Sequence, residues 1–226
     1  LSENPAIKDQ DWERCKAILS SLKMKYPYYE NIFAIDREGW IHCSAVKQDK
    51  PAYAGDRSYF QKVMKSGRFT LGDVQIGRIT KKPVVVIAYP VRDSSGSQIG
   101  MVGSAVSLLR LQELFNHLEL TGNAAVTLLD RKGRIIASTA EPETDVLKDV
   151  SEESWFKEIV KNGSGIFELR YSGEERLTAV SSPSKANWYA TVSVSSEDIY
   201  SPIRKYIMRS ISFYRLILVL ALAISW

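Results

Sequence analysis

Residues 32–45 read IFAIDREGWIHCSA, and residues 126–139 read VTLLDRKGRIIAST. Each stretch is an apolar segment, an Asp-x-x-Gly turn and a second apolar segment, which is the pattern of a β-hairpin. Asp, Arg, Gly, Ile and Ser recur at matching places in the two stretches. The same hairpin therefore occurs twice in a chain of 226 residues, and this repetition decides the fold.

Two further pairs of segments repeat in the same order. SYFQKVMKSG (58–67) matches SWFKEIVKNG (154–163), and in both an aromatic-led helix ends at glycine, the usual helix stop. VVVIAYPV (84–91) matches LTAVSSPS (177–184), and each is an apolar strand that runs into a proline. The three pairs lie 94, 96 and 93 residues apart. This nearly constant offset predicts two copies of one α+β module made of a hairpin, a helix and further strands.

The rest of the chain divides around these copies. Residues 1–30 have apolar side chains near helical spacing and are predicted to form a leading helix. Residues 31–118 and 119–200 are the two modules, and LLRLQELFNHLEL at their boundary is a connecting helix. Residues 201–226 are an exit helix that can begin near Ser196.

The C-terminal residues 213–226, FYRLILVLALAISW, are apolar except for Arg215 and Ser225. A spanning helix needs about 20 apolar residues, so we interpret this stretch as the start of a transmembrane helix. A buried or interfacial helix is the alternative. Leu1 is not an initiator methionine and no signal peptide is visible, which predicts that the sequence is a fragment of a longer chain.

Composition and motifs exclude several classes of function. Lys and Arg are scattered and the formal net charge is only +4, so no nucleic-acid-binding face is predicted. His42 and His117 lie far apart and lack the spacing of metal ligands. Neither a G-x-S-x-G motif nor a phosphate-binding glycine loop is present. We therefore predict no catalytic residues, no metal site and no cofactor.

The only two cysteines are Cys15, in the leading helix, and Cys43, in the first hairpin. Neither has a nearby catalytic partner or a metal-binding spacing. If the domain lies outside the cytoplasm, a disulfide between them is favoured, and two buried free thiols are the alternative.

The chain as a whole resembles the double Cache domain, a tandem PAS-like extracytoplasmic sensor of bacterial and archaeal receptors. The segments that carry the resemblance are the leading helix, DRSYF (56–60), IGRITKKPVVVIAYPV (76–91), DSSGSQIGMVGSAVSL (93–108), the smaller second module and the exit helix. The resemblance implies an α+β fold with a long N-terminal helix, two PAS-like modules with antiparallel sheets, and a C-terminal helix that enters the membrane.

The same resemblance implies a cellular context. The sensor would lie outside the cytoplasm, anchored in the inner membrane between two helices, as a homodimer. A histidine kinase, diguanylate cyclase or chemotaxis output domain would follow it. The membrane-distal module would hold a small-molecule ligand, whereas the membrane-proximal module is often empty in this family.

The duplication offers an internal comparison for the ligand site. An offset of 96 residues places Arg57 opposite Glu153, whereas Tyr59-Phe60 recurs as Trp155-Phe156. The aromatic pair is thus explained by the shared fold, and Arg57 is specific to the first module. Because an arginine can hold a carboxylate through two parallel hydrogen bonds, Arg57 is our first candidate for ligand recognition.

Amino-acid-binding relatives in this family carry an Arg-x-Trp-Tyr helix start, a Tyr-x-Asp pair and a later Asp. Here the helix start reads Arg-Ser-Tyr-Phe, the Tyr-x-Asp pair falls on Gln75 and Gly77, and the later Asp falls on Ala105. The acids that would pair with a ligand ammonium are absent, so we expect a small organic anion such as a carboxylate. The predicted ligand-binding residues are Arg57, Tyr59, Phe60, Asp73, Gln75, Arg78, Tyr89 and Ser107.

Structural roles are the alternatives for several of these residues. Arg57 could pair with Asp56 or Asp73, Arg78 could cap a turn or pair with Asp73, and Tyr89 could belong to the core. A one-residue error in register would reverse the face on which Ser107 lies.

We therefore predict that this chain is the ligand-sensing region of a transmembrane receptor. The region would relay a conformational change through its exit helix. A non-sensing ectodomain for dimerisation or partner docking is the main alternative. An enzyme is a third and weaker one.

Overall fold

The computed structural model describes residues 1–140, 146–183 and 187–224. Two helices lead the chain, α1 (Pro5–Lys8) and α2 (Trp12–Lys25). They are separate because Gln10 adopts a left-handed φ of 57° and the Asp11 side chain then caps α2 by accepting a hydrogen bond from the backbone N–H of Arg14. The predicted leading helix is thus present but broken near its start.

The first module contains a six-stranded antiparallel sheet with the order β3-β2-β1-β6-β5-β4. Helix α3 contacts β4, β5 and β6, and α4 follows the last strand. The elements are β1 (Tyr29–Asp36), β2 (Trp40–Ser44), β3 (Ala52–Tyr53), α3 (Ser58–Ser66), β4 (Thr70–Ile76), β5 (Pro83–Arg92), β6 (Gln98–Ser107) and α4 (Leu108–Asn116).

The second module repeats this arrangement with five strands in the order β8-β7-β11-β10-β9, which matches the first sheet without β3. A single bridge between Arg134 and Asp149 stands where β2 and β3 pair in the first module. The elements are β7 (Ala125–Asp130), β8 (Ile135–Ser138), α5 (Ser154–Asn162), β9 (Gly165–Tyr171), β10 (Glu174–Ser181), β11 (Trp188–Ser195) and then α6 (Ser196–Ile224). The predicted α+β fold with two antiparallel sheets is confirmed.

The hairpin glycines show why the repeated turn is needed. Gly39 and Gly133 have φ values of +99° and +81°, a region that favours glycine. A Cβ on Gly39 would lie 2.7 Å from the backbone of Gly55, and one on Gly133 would lie 2.8 Å from that of Ser151. Each glycine therefore allows the segment before the module's helix to pass directly over the hairpin.

The two modules are joined by a packed interface. Val74 and Val85 of the first sheet form one buried apolar cluster with Leu108 of α4 and Ile136 of β8. The buried Gln112 side chain of α4 donates to the carbonyl of Ser138 at 2.6 Å and accepts from its N–H at 2.9 Å. This pair of hydrogen bonds fixes α4 to the backbone of β8.

A disulfide links Cys15 of α2 to Cys43 of β2. Both residues are fully buried, in a cluster that includes Leu19, Ile32 and Val91. The bond fastens the leading helix to one side of the first sheet, so the alternative of two free thiols does not apply to this structure.

Helix α6 begins at Ser196, one of the predicted starting points. The Tyr200 hydroxyl reaches Glu168 of β9 at 3.4 Å, so the first turns of the helix contact the second sheet. Within residues 1–140, 146–183 and 187–224, no helix is both long and apolar enough to cross a membrane. The predicted membrane segment 213–226 extends beyond the described residues at 225 and 226.

Candidate ligand-binding site

A small cavity of about 30 Å³ lies in the first module, between the inner face of the sheet, the start of α3 and the β4–β5 loop. Its empty space is about 370 Å³ when the part that opens to solvent is included. None of the residues that line it carries a carboxylate. The polar lining residues are Asn31, Arg57, Tyr59, Gln75, Arg78 and Thr80.

Strand pairing explains where the space comes from. Ala105 of β6 is paired on one side with Asn31 of β1 and on the other with Val86 of β5, and all three line the cavity. Because side chains alternate along each strand, Phe33 and Val84 face the same side as these residues. The small side chain of Ala105 leaves room at the centre of this apolar floor.

Arg57 immediately precedes α3, in an extended conformation, and is half-buried. Its Nη1 donates to Oε1 of Gln75 at 3.0 Å. No carboxylate of the described residues lies within ion-pair distance of Arg57, because Asp56 pairs with Arg78 and Asp73 pairs with lysines. Arg57 therefore has no direct ion-pair partner, although its charge helps to lower the pKa of the neighbouring Asp56. The two proposed structural pairs of Arg57 do not form in the described part of the chain.

Arg78 belongs to the β4–β5 loop and reaches across to the segment that precedes α3. Its guanidinium lies 2.7 Å from the Asp56 carboxylate and also donates to the carbonyl of Tyr53. The hydrogen bond from Arg78 lowers the pKa of Asp56 below its ordinary value. Arg78 thus has a direct ion-pair partner, whereas Arg57 has none among the described residues.

Tyr59 is buried in the first turn of α3 and packs against Phe33, with ring centroids 6.2 Å apart. Burial raises the pKa of Tyr59 to about 12, and the nearby charges of Arg57 and Arg78 only partly oppose this shift. The neutral phenol can both donate and accept a hydrogen bond.

Four of the eight predicted residues, Arg57, Tyr59, Gln75 and Arg78, line the cavity, and the other four do not. Phe60 is buried in the core of the first module. Tyr89 is 51% exposed, so it belongs neither to the cavity nor to the core. Ser107 accepts from the N–H of Arg110 as the N-cap of α4 and donates to Glu30 at 2.8 Å.

Asp73 is the remaining predicted residue that does not line the cavity, and it contacts charged groups of both modules. It pairs with Lys62 of α3 at 3.1 Å and with Lys132 of the β7–β8 turn at 3.5 Å, and it accepts from Ser58 at 3.2 Å. Burial alone would raise the pKa of Asp73, but the hydrogen bond and charge of Lys62 lower it overall. Asp73 therefore connects the modules instead of facing the cavity.

Sequence reasoning missed several lining residues. Asn31 is a polar residue within a buried apolar strand, and that contrast was a usable signal. Ile79 and Thr80 lie in the β4–β5 loop, whose conformation no local pattern predicts. Gly77 and Ala105, where the acids of amino-acid-binding relatives were found to be missing, both line the cavity.

The second module differs at the equivalent place. The rings of Trp155 and Tyr171 lie 4.7 Å apart and pack against the module core, and Glu153 precedes α5 where Arg57 precedes α3. Elsewhere, no group of three or more His, Cys, Asp or Glu side chains that could hold a metal ion occurs among the described residues.

Comparisons with known proteins agree with this architecture. The sequence model of the Cache domain matches residues 6–203. The methyl-accepting chemotaxis protein PctB of Pseudomonas aeruginosa is 27% identical over 153 residues, which cover 66% of this chain. The matched stretch covers only 24% of PctB, so the chain spans about a quarter of that relative.

Two solved structures have a similar fold. The ligand-binding domain of Pseudomonas aeruginosa PctB in complex with L-Arg has a TM-score of 0.65 at 25% identity, covering 85% of this chain and 76% of the other. The extracellular domain of the histidine kinase rpHK1S-Z16 has a TM-score of 0.66 at 18% identity, covering 82% and 78%.

Proposed function

Since this chain belongs to the Cache domain family, we propose that it is the extracytoplasmic ligand-sensing region of a transmembrane signal-transduction receptor. It binds a small carboxylate-type anion in the cavity of its first module. The observation that carries this proposal is the half-buried Arg57, which forms no ion pair with any acid among the described residues. An anionic ligand would supply a direct partner for its guanidinium.

The geometry at Arg57 suits a carboxylate. One N–H of its guanidinium is engaged by the neutral amide of Gln75, and the others remain for a ligand. Charge-assisted, bidentate hydrogen bonds between arginine and a carboxylate are roughly twice as strong as neutral ones. A carboxylate would therefore displace the Gln75 amide oxygen, and the amide would then offer its own N–H groups to the ligand.

An α-amino acid fits this cavity less well than a simple carboxylate, although the solved PctB domain contains L-Arg. A ligand ammonium would enter a cavity whose lining holds two arginines and no carboxylate. A buried charge without a partner is strongly unfavourable. The side chains that line this cavity therefore favour a carboxylate without an ammonium group.

A conformational change at the cavity would reach α6 through α4 and the second module. Ligand binding shifts the balance between two conformations only if the ligand binds one of them more tightly. Helix α4 connects the first module to the second, whose last strand continues directly into α6. We propose that α6 passes the change to an inner membrane helix of a homodimer, and from there to a kinase, cyclase or chemotaxis output.

Thermal unfolding and calorimetry with matched ligands test the binding proposal. The panel is acetate, propionate, L-alanine and propylamine. A ligand present at 100 times its Kd should raise the free energy of unfolding by about 2.7 kcal/mol. We expect this increase for the carboxylates, a smaller one for alanine and none for the amine.

Variants at two arginines make the test specific. Arg57→Gln should abolish the stabilisation by propionate, whereas Arg68→Gln, which changes an exposed arginine of the same module, should leave it intact. Equal effects of the two substitutions would contradict a role for Arg57. If no carboxylate stabilises the chain, the alternative of a structural or partner-docking ectodomain gains support.

A further inference from the structure

The hydroxyl of Thr80 is a buried polar group without a partner. Thr80 lies in the β4–β5 loop and lines the cavity, and its Oγ1 has no hydrogen-bond partner among the described residues. Most buried side-chain polar atoms in proteins are hydrogen-bonded, so an unpaired one requires a physical explanation.

The loop holds this hydroxyl in a defined place. The N–H of Gly77 donates to the carbonyl of Lys82 at 2.8 Å, and the N–H of Lys81 donates to the carbonyl of Gly77 at 2.9 Å. A Cβ built on Gly77 would lie only 2.5 Å from Thr80 Oγ1. The hydroxyl therefore occupies the space that a side chain at position 77 would fill.

Two of the other polar side chains of the lining are engaged by protein groups. The Asn31 side chain bonds with Ser44 and with the N–H of Val46, and Arg78 is paired with Asp56. Arg57 retains free donors, as described above. The lining thus keeps hydrogen-bonding groups for a ligand on Arg57, on the Tyr59 phenol and on the Gln75 amide N–H. The Thr80 Oγ1 differs from these because it is buried and has no partner among the described residues.

The dimensions restrict the ligand to a short molecule. A single water needs a cavity of about 10–15 Å³ by this measure, so a volume of about 30 Å³ is enough for only a few atoms before the side chains adjust. A ligand that reached both Arg57 and Thr80 would carry its two polar ends on a chain of very few carbons.

We infer that the ligand is a short carboxylate that also carries a hydroxyl or oxo oxygen, and that Thr80 recognises this oxygen. The inference rests on the proposed function, because Arg57 must hold the carboxylate. A threonine hydroxyl can donate to an oxo group and can donate to or accept from a hydroxyl. An ammonium group bound beside Thr80 would have no charged partner, because the lining contains no acid.

Calorimetry with ligands that differ by one substituent tests this inference. Propionate, lactate, 3-hydroxypropionate and pyruvate are titrated into the wild-type chain and into the Thr80→Val and Thr80→Ser variants. We expect at least one of the three oxygen-bearing acids to bind about tenfold more tightly than propionate, as one satisfied hydrogen bond would give. Thr80→Val should remove this preference without changing propionate binding, and Thr80→Ser should keep it.

Three results would count against the inference, and they are distinguishable. If propionate binds as tightly as the oxygen-bearing acids, Thr80 has no recognition role although the proposed function stands. If Thr80→Val destabilises the ligand-free chain and leaves the preference unchanged, the hydroxyl is structural. If none of the four acids binds, the proposed function fails and this inference fails with it.

Discussion

Reduction of the disulfide between Cys15 and Cys43 is expected to destabilise the first module selectively. The bond connects α2 to β2 across 28 residues of chain, and both sulfur atoms belong to the buried cluster beneath α2. Reduction is a cleaner perturbation than substitution by alanine, because it leaves both side chains in the core and adds no cavity.

The loop length gives the size of the effect. In the chain-entropy description, closing a loop of 28 residues lowers the entropy of the unfolded state by about 12 cal/mol/K, which corresponds to about 3.6 kcal/mol at 25 °C. With a urea m-value of about 2–3 kcal/mol/M, the midpoint should fall by about 1–2 M.

Urea unfolding of oxidised and reduced protein, with thiol titration to verify each state, measures this shift. Trp12 and Trp40 report on the first module and Trp155 on the second, whereas Trp188 packs against the cluster that the modules share. Fluorescence of one variant that retains Trp12 and Trp40 and of another that retains Trp155 therefore separates the two transitions. A cost below about 1 kcal/mol, or an equal shift in both modules, would refute the reasoning.

Three further predictions concern the interface and the cavity. Gln112→Ala should cost about 2–4 kcal/mol, since it removes two buried hydrogen bonds to Ser138; urea unfolding measures this loss, and a cost under 1 kcal/mol would contradict it. The pKa of Asp73 is lower in the folded state than its ordinary value of 3.8, which stands for the unfolded chain. The ionised Asp73 therefore stabilises the fold above about pH 3.8, and this stabilisation is lost as the pH falls through the pKa of the folded state. Asp73→Asn should therefore flatten the decline of the urea midpoint below about pH 4, and an unchanged slope would argue against this. Gly77→Ala should weaken propionate binding in calorimetry, because the new Cβ meets Thr80 Oγ1 at 2.5 Å, and adding Thr80→Ala should restore part of the affinity.

The repeated fold was predictable because its signals are local. The hairpin of 32–45 and its copy at 126–139 each combine an apolar pattern with a glycine turn, and the helices α3 and α5 begin 96 residues apart, as the offset predicts. The break between α1 and α2 was not predictable, since it depends on one left-handed residue, Gln10.

The site was predictable only in part, because a cavity depends on how distant elements pack. Arg57 could be identified because the second module has an acid in its place. Asp73 and Gln75 share a face of β4, yet Ser58 and Lys62 of α3 engage Asp73 and leave only Gln75 at the cavity. Thr80 gave no signal, because its position depends on a loop closed by backbone hydrogen bonds.

The position of the disulfide within the first sheet has a mechanical consequence. It fastens β2, close to one edge of the strand order, whereas β4 forms the opposite edge. Gln75 of β4 faces the cavity, and the adjacent Val74 packs into the cluster shared with the second module. With one edge of the sheet covalently restrained, a rearrangement caused by a ligand should concentrate at the other edge, where it displaces the neighbouring module.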